Sequence, residues 1–193
     1  MKLNICIDID GTVTDPYYWL EEANGYFRSD LKPDEVVCYD IHTILGIPRK
    51  EYDIFYDKYG EKIHREALVR EEASTIVNHI HKNNKIHFVT ARDPRMTTVT
   101  YEWLDKHDFI YHGVHLLGSH HKIEKARELE CDIFIEDRYE NAVELAKEGF
   151  KVLLVDCTYN RYENVENVTR VYDWEDIYKE IIEYKLDLLT RAS

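Results

Sequence analysis

Residues 5–15 read ICIDIDGTVTD, and they set Asp8 and Asp10 two positions apart at the end of an otherwise β-branched, apolar run. A buried strand has no place for unpaired charge, so such a pair either opens a turn or meets a cation or a phosphoryl group. Alternation along a strand puts both carboxylates on one face. Three other apolar runs end in comparable groups. KIHFVT ends in Thr90, GVHLLG is followed by a short SHH loop and Lys122, and CDIFIED ends in Glu136 and Asp137. A carboxylate pair, a hydroxyl, an ammonium and a second acid pair together could bind a hard cation, hold phosphoryl oxygens and supply a nucleophile and an acid/base.

These groups act together only if the fold gathers them. From Asp93 onward, short apolar runs alternate with longer amphipathic ones. Strands are predicted at 85–90, 113–118, 131–137 and 151–156, with helices near 96–107, 121–130, 141–149 and 174–189. Strand–helix alternation of this kind argues for a parallel sheet covered on both faces, and ligands bind such sheets at the carboxyl ends of their strands. The interval 16–69 differs, being rich in Tyr and acids and poor in strand-like runs. Tyr52, Phe55, Tyr56 and Tyr59 recur at helical spacing, which predicts a helical insertion before a helix near 71–83. The expected division is a core of 1–15 and 70–193 with a helical cap of 16–69.

The chain has 193 residues, 44% hydrophobic and 33% charged, with a formal net charge of −13. This suits one domain, or one with a substantial insertion, and its acidity argues against a nucleic-acid polymer as partner. Cys6, Cys38, Cys131 and Cys157 form no CxxC and are expected to be reduced thiols. A strand entered within two residues of the start and the lack of long apolar segments lead us to expect a cytoplasmic protein without a membrane span. Neither a GxxxxGK[ST] nor a GxGxxG motif is present.

The constellation also resembles a family. DIDGT matches the DxDGT signature of the haloacid dehalogenase superfamily, and Thr90, Lys122 and Glu136-Asp137 look like its second, third and fourth motifs in order. The helical insertion, VTARDP and IEDRYENA are most similar to bacterial nucleotidases related to 5'(3')-deoxyribonucleotidases. The resemblance implies a Rossmann-like three-layer α/β core with a small helical cap after the first strand. It implies a Mg²⁺-dependent phosphomonoesterase, acting on nucleoside or deoxynucleoside monophosphates through an aspartyl-phosphate. Asp8 would be the nucleophile and Asp10 the acid/base. Thr90 and Lys122 would hold the phosphate. Asp8, the Asp10 carbonyl and Asp137 would hold the metal, with Glu136 holding a metal-bound water.

Alternatives are a phosphatase or phosphomutase for another small phosphate ester, or a phosphoacceptor signalling domain. Lys122 is preferred to Lys125, one turn on, because it lies closer to a strand end. The like charges of Asp8 and Glu136, set against the pull of the metal, are expected to give Asp10 a pKa workable near neutrality. The run Tyr17-Tyr18-Trp19 and the Tyr52/Phe55/Tyr56/Tyr59 face are expected to pack as core rather than hold a base, and His120 and His121 to be solvated.

Overall fold

The structure, a computed structural model, describes residues 1–191. Its centre is a six-stranded, all-parallel sheet in the order β3-β2-β1-β4-β5-β6. The strands are β1 (Asn4–Ile7), β2 (Lys85–Thr90), β3 (Gly113–Leu116), β4 (Ile133–Glu136), β5 (Lys151–Val155) and β6 (Val168–Val171). β1 lies between β2 and β4, so the order of strands reverses there, and a crevice opens beyond its carboxyl end. Both faces of β1 are covered, which is why it is apolar and buried from Ile5 onward.

Alternation along β1 assigns its side chains to two cores. Ile5 and Ile7 pack with α4 (Ala73–His81), α5 (Thr97–Lys106) and α8 (Trp174–Arg191), through Val77, Trp103, Trp174 and Ile177. Cys6 faces the other way, with Phe134 and Leu154, toward α6 (Ile123–Glu128) and α7 (Tyr139–Lys147), through Ala126, Ala142 and Leu145. These are the three layers expected. β6 was not foreseen, and it extends the sheet in parallel beyond β5. All four cysteines are free. No helix among the described residues is long and apolar enough to cross a membrane.

Between β1 and α4 the chain leaves the sheet as α1 (Leu20–Phe27), α2 (Ile41–Ile44) and α3 (Arg49–Glu66). Phe55 and Ile63 on α3 bury against Trp19, Leu20 and Ala23, together with Cys157 and Tyr159 beyond β5. The two ends of this insertion meet. Thr14 and Val69 form an antiparallel bridge, Asp15 N donates to Leu68 O (2.7 Å) and Arg70 N donates to Val13 O (2.9 Å).

Candidate active site

Beyond β1 the chain turns sharply. The amides of Val13 and Thr14 both donate to Ile9 O, at 3.0 and 3.1 Å, and Gly11 N donates to Thr14 Oγ1. Gly11 takes φ +76°, and a Cβ there would stand 2.3 Å from Asp137 Oδ2 and 2.6 Å from the Tyr159 hydroxyl. Glycine is therefore required twice over, for the left-handed turn and for the close approach. Arg70 fixes the same loop by donating from Nε to Gly11 O (3.0 Å).

Four of the expected residues converge at one buried point. Lys122, the residue before α6, places Nζ 2.7 Å from Asp8 Oδ1 and 2.6 Å from Glu136 Oε1. Suitably placed oxygens of Asp8, Glu136 and Asp137 lie within 4.8 Å of one another. Glu136 is the saturated member. Its Oε1 also accepts from Asn141 Nδ2 (2.7 Å), and its Oε2 accepts from the amides of Asp137 and Arg138 (2.9 Å each). Despite burial, Lys122 and these donors hold Glu136 below the usual carboxylate range. Asp8 behaves oppositely: burial pushes its carboxyl up to about 7, although Lys122 pulls it down. Burial, Glu136 and Asp8 likewise raise Asp137, even though it accepts from the Tyr159 hydroxyl at 2.5 Å. Asn160 holds the main chain here, donating to Asp137 O (2.6 Å) and Val155 O (2.7 Å).

Three buried carboxylates facing one ammonium leave an excess of negative charge. Without a cation Asp8 and Asp137 relieve it by holding protons more tightly than free carboxyls do, and their all-oxygen character suits a hard divalent cation that would take the protons' place. The donors present fit such an ion. Thr90 ends β2 in the same crevice, buried, its Oγ1 accepting from Arg92 N (3.2 Å). Lys125 is not brought in; it pairs with Glu128 on the surface.

Asp10 has partners that the sequence reading missed. Arg92 grips its carboxylate, with Nε 3.1 Å from Oδ1 and 3.0 Å from Oδ2, and Nη2 2.6 Å from Oδ1. Arg92 is itself fixed through Nη1 to Thr100 Oγ1 (3.0 Å). The expectation of a near-neutral Asp10 is corrected. Burial raises its pKa, but the Arg92 guanidinium outweighs this and holds the carboxyl well below its ordinary range. From the insertion, the Tyr18 hydroxyl donates to Asp10 Oδ1 (2.8 Å) and His64 Nδ1 stands 3.6 Å from the same oxygen. Burial and Arg92 push His64 down to about 3, so it is neutral.

A cavity of about 480 Å³ opens over Asp10, Arg92 and Asp137. The insertion contributes Tyr18, Tyr39, Tyr52 and Tyr56, and the sheet side contributes Ser119 and His120. The aromatic expectations therefore divide. Trp19 and Phe55 are buried as expected, while Tyr18, Tyr52 and Tyr56 face the cavity. Tyr17 instead bonds Thr158 Oγ1 (2.8 Å). His120 is not freely solvated. Burial, Arg138 and Lys122 push it down to about 4, and its ring meets Tyr39 edge-on at 5.6 Å.

Comparison with known proteins agrees with this geometry. The profile of the family described as "5' nucleotidase, deoxy (Pyrimidine), cytosolic type C protein" matches residues 2–187. A nucleotidase of Clostridium acetobutylicum is 47% identical over 177 residues, covering 92% of each chain. Among solved structures, a haloacid dehalogenase-like hydrolase from Streptococcus pneumoniae superposes with TM-score 0.60 at 15% identity, over 95% of this chain and 98% of its own. The L-2-haloacid dehalogenase of Xanthobacter autotrophicus gives TM-score 0.62 at 10% identity, over 95% and 99%. With the haloacid dehalogenase fold on one side and a nucleotidase sequence on the other, this chain belongs to the cytosolic type C 5'-nucleotidase family of phosphoric monoester hydrolases.

Proposed function

We propose that the protein is a Mg²⁺-dependent nucleotidase that hydrolyses nucleoside or deoxynucleoside monophosphates through a phosphoryl group carried on Asp8. The observation that carries this reading is the buried cluster of Asp8, Lys122, Glu136 and Asp137 at the end of β1, beside a cavity that Asp10 and Asp137 line together with aromatic side chains. Asp8, the backbone carbonyl of Asp10 and Asp137 would hold Mg²⁺. The ion supplies charge that lets an anionic phosphate approach a carboxylate and stabilises the transferring oxygens.

The chain's own residues supply the rest. An Asp8 oxygen attacks phosphorus, a P–Oδ bond forms, and the bond to the nucleoside oxygen breaks. Lys122 and Thr90 hold the phosphoryl oxygens, and Glu136 positions Lys122 rather than meeting the substrate. Asp10, ionised in the free protein, first takes up a proton as the substrate phosphate binds; it gives that proton to the departing alkoxide and takes one back from the water that cleaves the phosphoaspartate. Residues 16–69 act as a cap whose tyrosines bound the nucleoside side of the cavity, over a core of 1–15 and 70–193.

Phosphate release from a panel of nucleoside monophosphates and sugar phosphates, with Mg²⁺ and with excess chelator, tests this reading. We expect turnover of nucleotides that stops in chelator, no need for an added acceptor, and no turnover by Asp8→Asn. Asp10→Asn should be slower by about 10²–10⁴-fold, the usual span of general acid–base catalysis. Undiminished turnover in chelator, or an active Asp8→Asn protein, would remove the mechanism.

A further inference from the structure

We infer that Tyr18 and His64, both carried by the 16–69 insertion, are positioning residues for Asp10, joining it to the cavity wall through one directed chain of hydrogen bonds. The inference rests on the acid/base reading of Asp10 given above. The Tyr18 hydroxyl is 2.8 Å from Asp10 Oδ1, His64 Nδ1 is 3.2 Å from the Tyr18 oxygen, and His64 Nε2 is 2.8 Å from the Tyr56 oxygen. His64, the middle of the chain, is 3% exposed, while Tyr18, Tyr56 and Asp10 are part-buried at the cavity wall.

Donor accounting gives this chain one direction. In the resting protein the Tyr18 hydroxyl donates to Asp10 Oδ1, so its single proton is committed there. Nδ1 of His64 must then donate to the Tyr18 oxygen, which assigns the tautomer and leaves Nε2 bare. Tyr56 therefore donates to Nε2. Reversal at any one link would leave two protons or two lone pairs facing each other.

Two grips of different origin thus meet on one carboxylate. Arg92 comes from the loop after β2, whereas Tyr18 comes from the turn before α1. His64 and Tyr56 stand eight residues apart on α3, close to two helical turns. At the outer end, Tyr56 stacks near Tyr52 (ring centroids 6.2 Å, planes 19° apart), and both rings line the cavity. An occupant of the cavity touches the head of the chain, three hydrogen bonds from Asp10. A displaced insertion would withdraw Tyr18 and leave the carboxylate on Arg92 alone. Seating of the insertion over its substrate is in this way communicated to the acid/base by geometry.

The experiment measures kcat and KM with Mg²⁺ on a nucleoside monophosphate and on nitrophenyl phosphate, which has a better leaving group. It compares wild type, Tyr18→Phe, His64→Leu, His64→Asn, Asp10→Asn and the Tyr18→Phe/Asp10→Asn double variant, with melting curves for each. We expect Tyr18→Phe and His64→Leu to lower kcat on the nucleotide about 10-fold, the scale of one hydrogen bond to a charged group, with KM nearly unchanged. The loss should be smaller on nitrophenyl phosphate. His64→Asn, whose Nδ2 replaces the Nδ1 donor, should recover most of the rate. In the Asp10→Asn background, Tyr18→Phe should cost nothing further. A folded Tyr18→Phe protein with wild-type kcat, a change confined to KM, or an equal loss in both backgrounds would overturn the inference. Wild-type turnover by Asp10→Asn alone would instead overturn the acid/base reading beneath it.

Discussion

Lys122 Nζ and Asp8 Oδ1 stand 2.7 Å apart, and neither residue exposes more than 5% of its surface. The same ammonium is 2.6 Å from Glu136, so one cation serves two carboxylates, and both raise its pKa against the effect of burial. It remains charged whatever the bulk pH near neutrality.

Replacing Lys122 should therefore damage the protein in a way that replacing Lys125 does not. Removing one partner of a buried ion pair costs about 3–5 kcal/mol, and loss of a donor to transferring oxygens costs about 10²–10³ in kcat. Lys125 pairs only with Glu128 on the surface, so its loss should change stability by no more than about 0.5 kcal/mol. Denaturant melts and phosphate release on Lys122→Ala and Lys125→Ala check both halves. A crippled Lys125 variant would move the phosphate-binding lysine one turn along α6.

In chelator, stability should fall as pH rises. Burial puts the folded pKa of Asp8 at about 7, above its unfolded value, and Asp137 is shifted the same way. The folded state then holds these protons more tightly than the unfolded chain. This contribution is complete below about pH 4 and is lost as pH climbs through 7. Melting temperature measured from pH 5 to 8 should decline, Asp8→Asn should flatten the decline, and Mg²⁺ at pH 8 should restore what was lost. A wild-type curve that rises over this interval would contradict the charge balance described.

Asp10 has the opposite sign. Arg92 holds its folded pKa below the unfolded value, so its contribution is present above about pH 4 and disappears as pH falls further. Arg92→Gln should lower stability at pH 7 by about 3–5 kcal/mol, as expected for a broken buried pair, and the gap to wild type should narrow toward pH 3. Urea unfolding at pH 7 and pH 3.5 distinguishes this from a packing defect, which would persist at both.

Gly11→Ala should fail at the proposed metal site before it fails as a fold. The left-handed conformation costs an L-residue about 1–2 kcal/mol. The added methyl would also displace Asp137, whose Oδ2 is 2.3 Å away and is held there by Tyr159. Mg²⁺ affinity measured by calorimetry should drop even in protein that remains folded at low temperature. Unchanged affinity would show that Asp137 can move aside freely.

The acids of the site were legible because they terminate apolar runs: a carboxylate at the end of ICIDI is conspicuous. Their partners were not. Arg92 lies 82 residues from Asp10 and His64 lies 46 from Tyr18, and nothing local to ARDP or KIHRE marks either as a neighbour of DIDGT. β6 escaped notice for another reason. Its VTRV has only two apolar residues, and its polar ones bond to residues at the two ends of β5, Thr169 to Lys151 and Arg170 to Asp156. An edge strand so short gives no hydrophobic run to count. The tyrosines of α3 show the limit of periodicity: it places Tyr52, Phe55, Tyr56 and Tyr59 on one side of a helix. Whether that side meets a core or a cavity depends on what faces it, and here it meets both.

The neck where Thr14 meets Val69 has a consequence for how such a protein can change. Because the insertion departs and returns through adjacent residues, no strand of the sheet belongs to it. Its length and composition can be rewritten without shifting the register of β1 against β2 or β4. Such rewriting leaves the end of β1 that carries Asp8 where it is. Two sets of contacts restrain that freedom, and the first is the pair Tyr18 and His64, which the insertion itself brings to Asp10. Arg70, the first residue past the neck, holds Gly11 O, so a replacement that disturbs the return strand also disturbs the loop carrying Asp10. A rewritten insertion must therefore keep both that guanidinium and the Tyr18–His64 contact with Asp10.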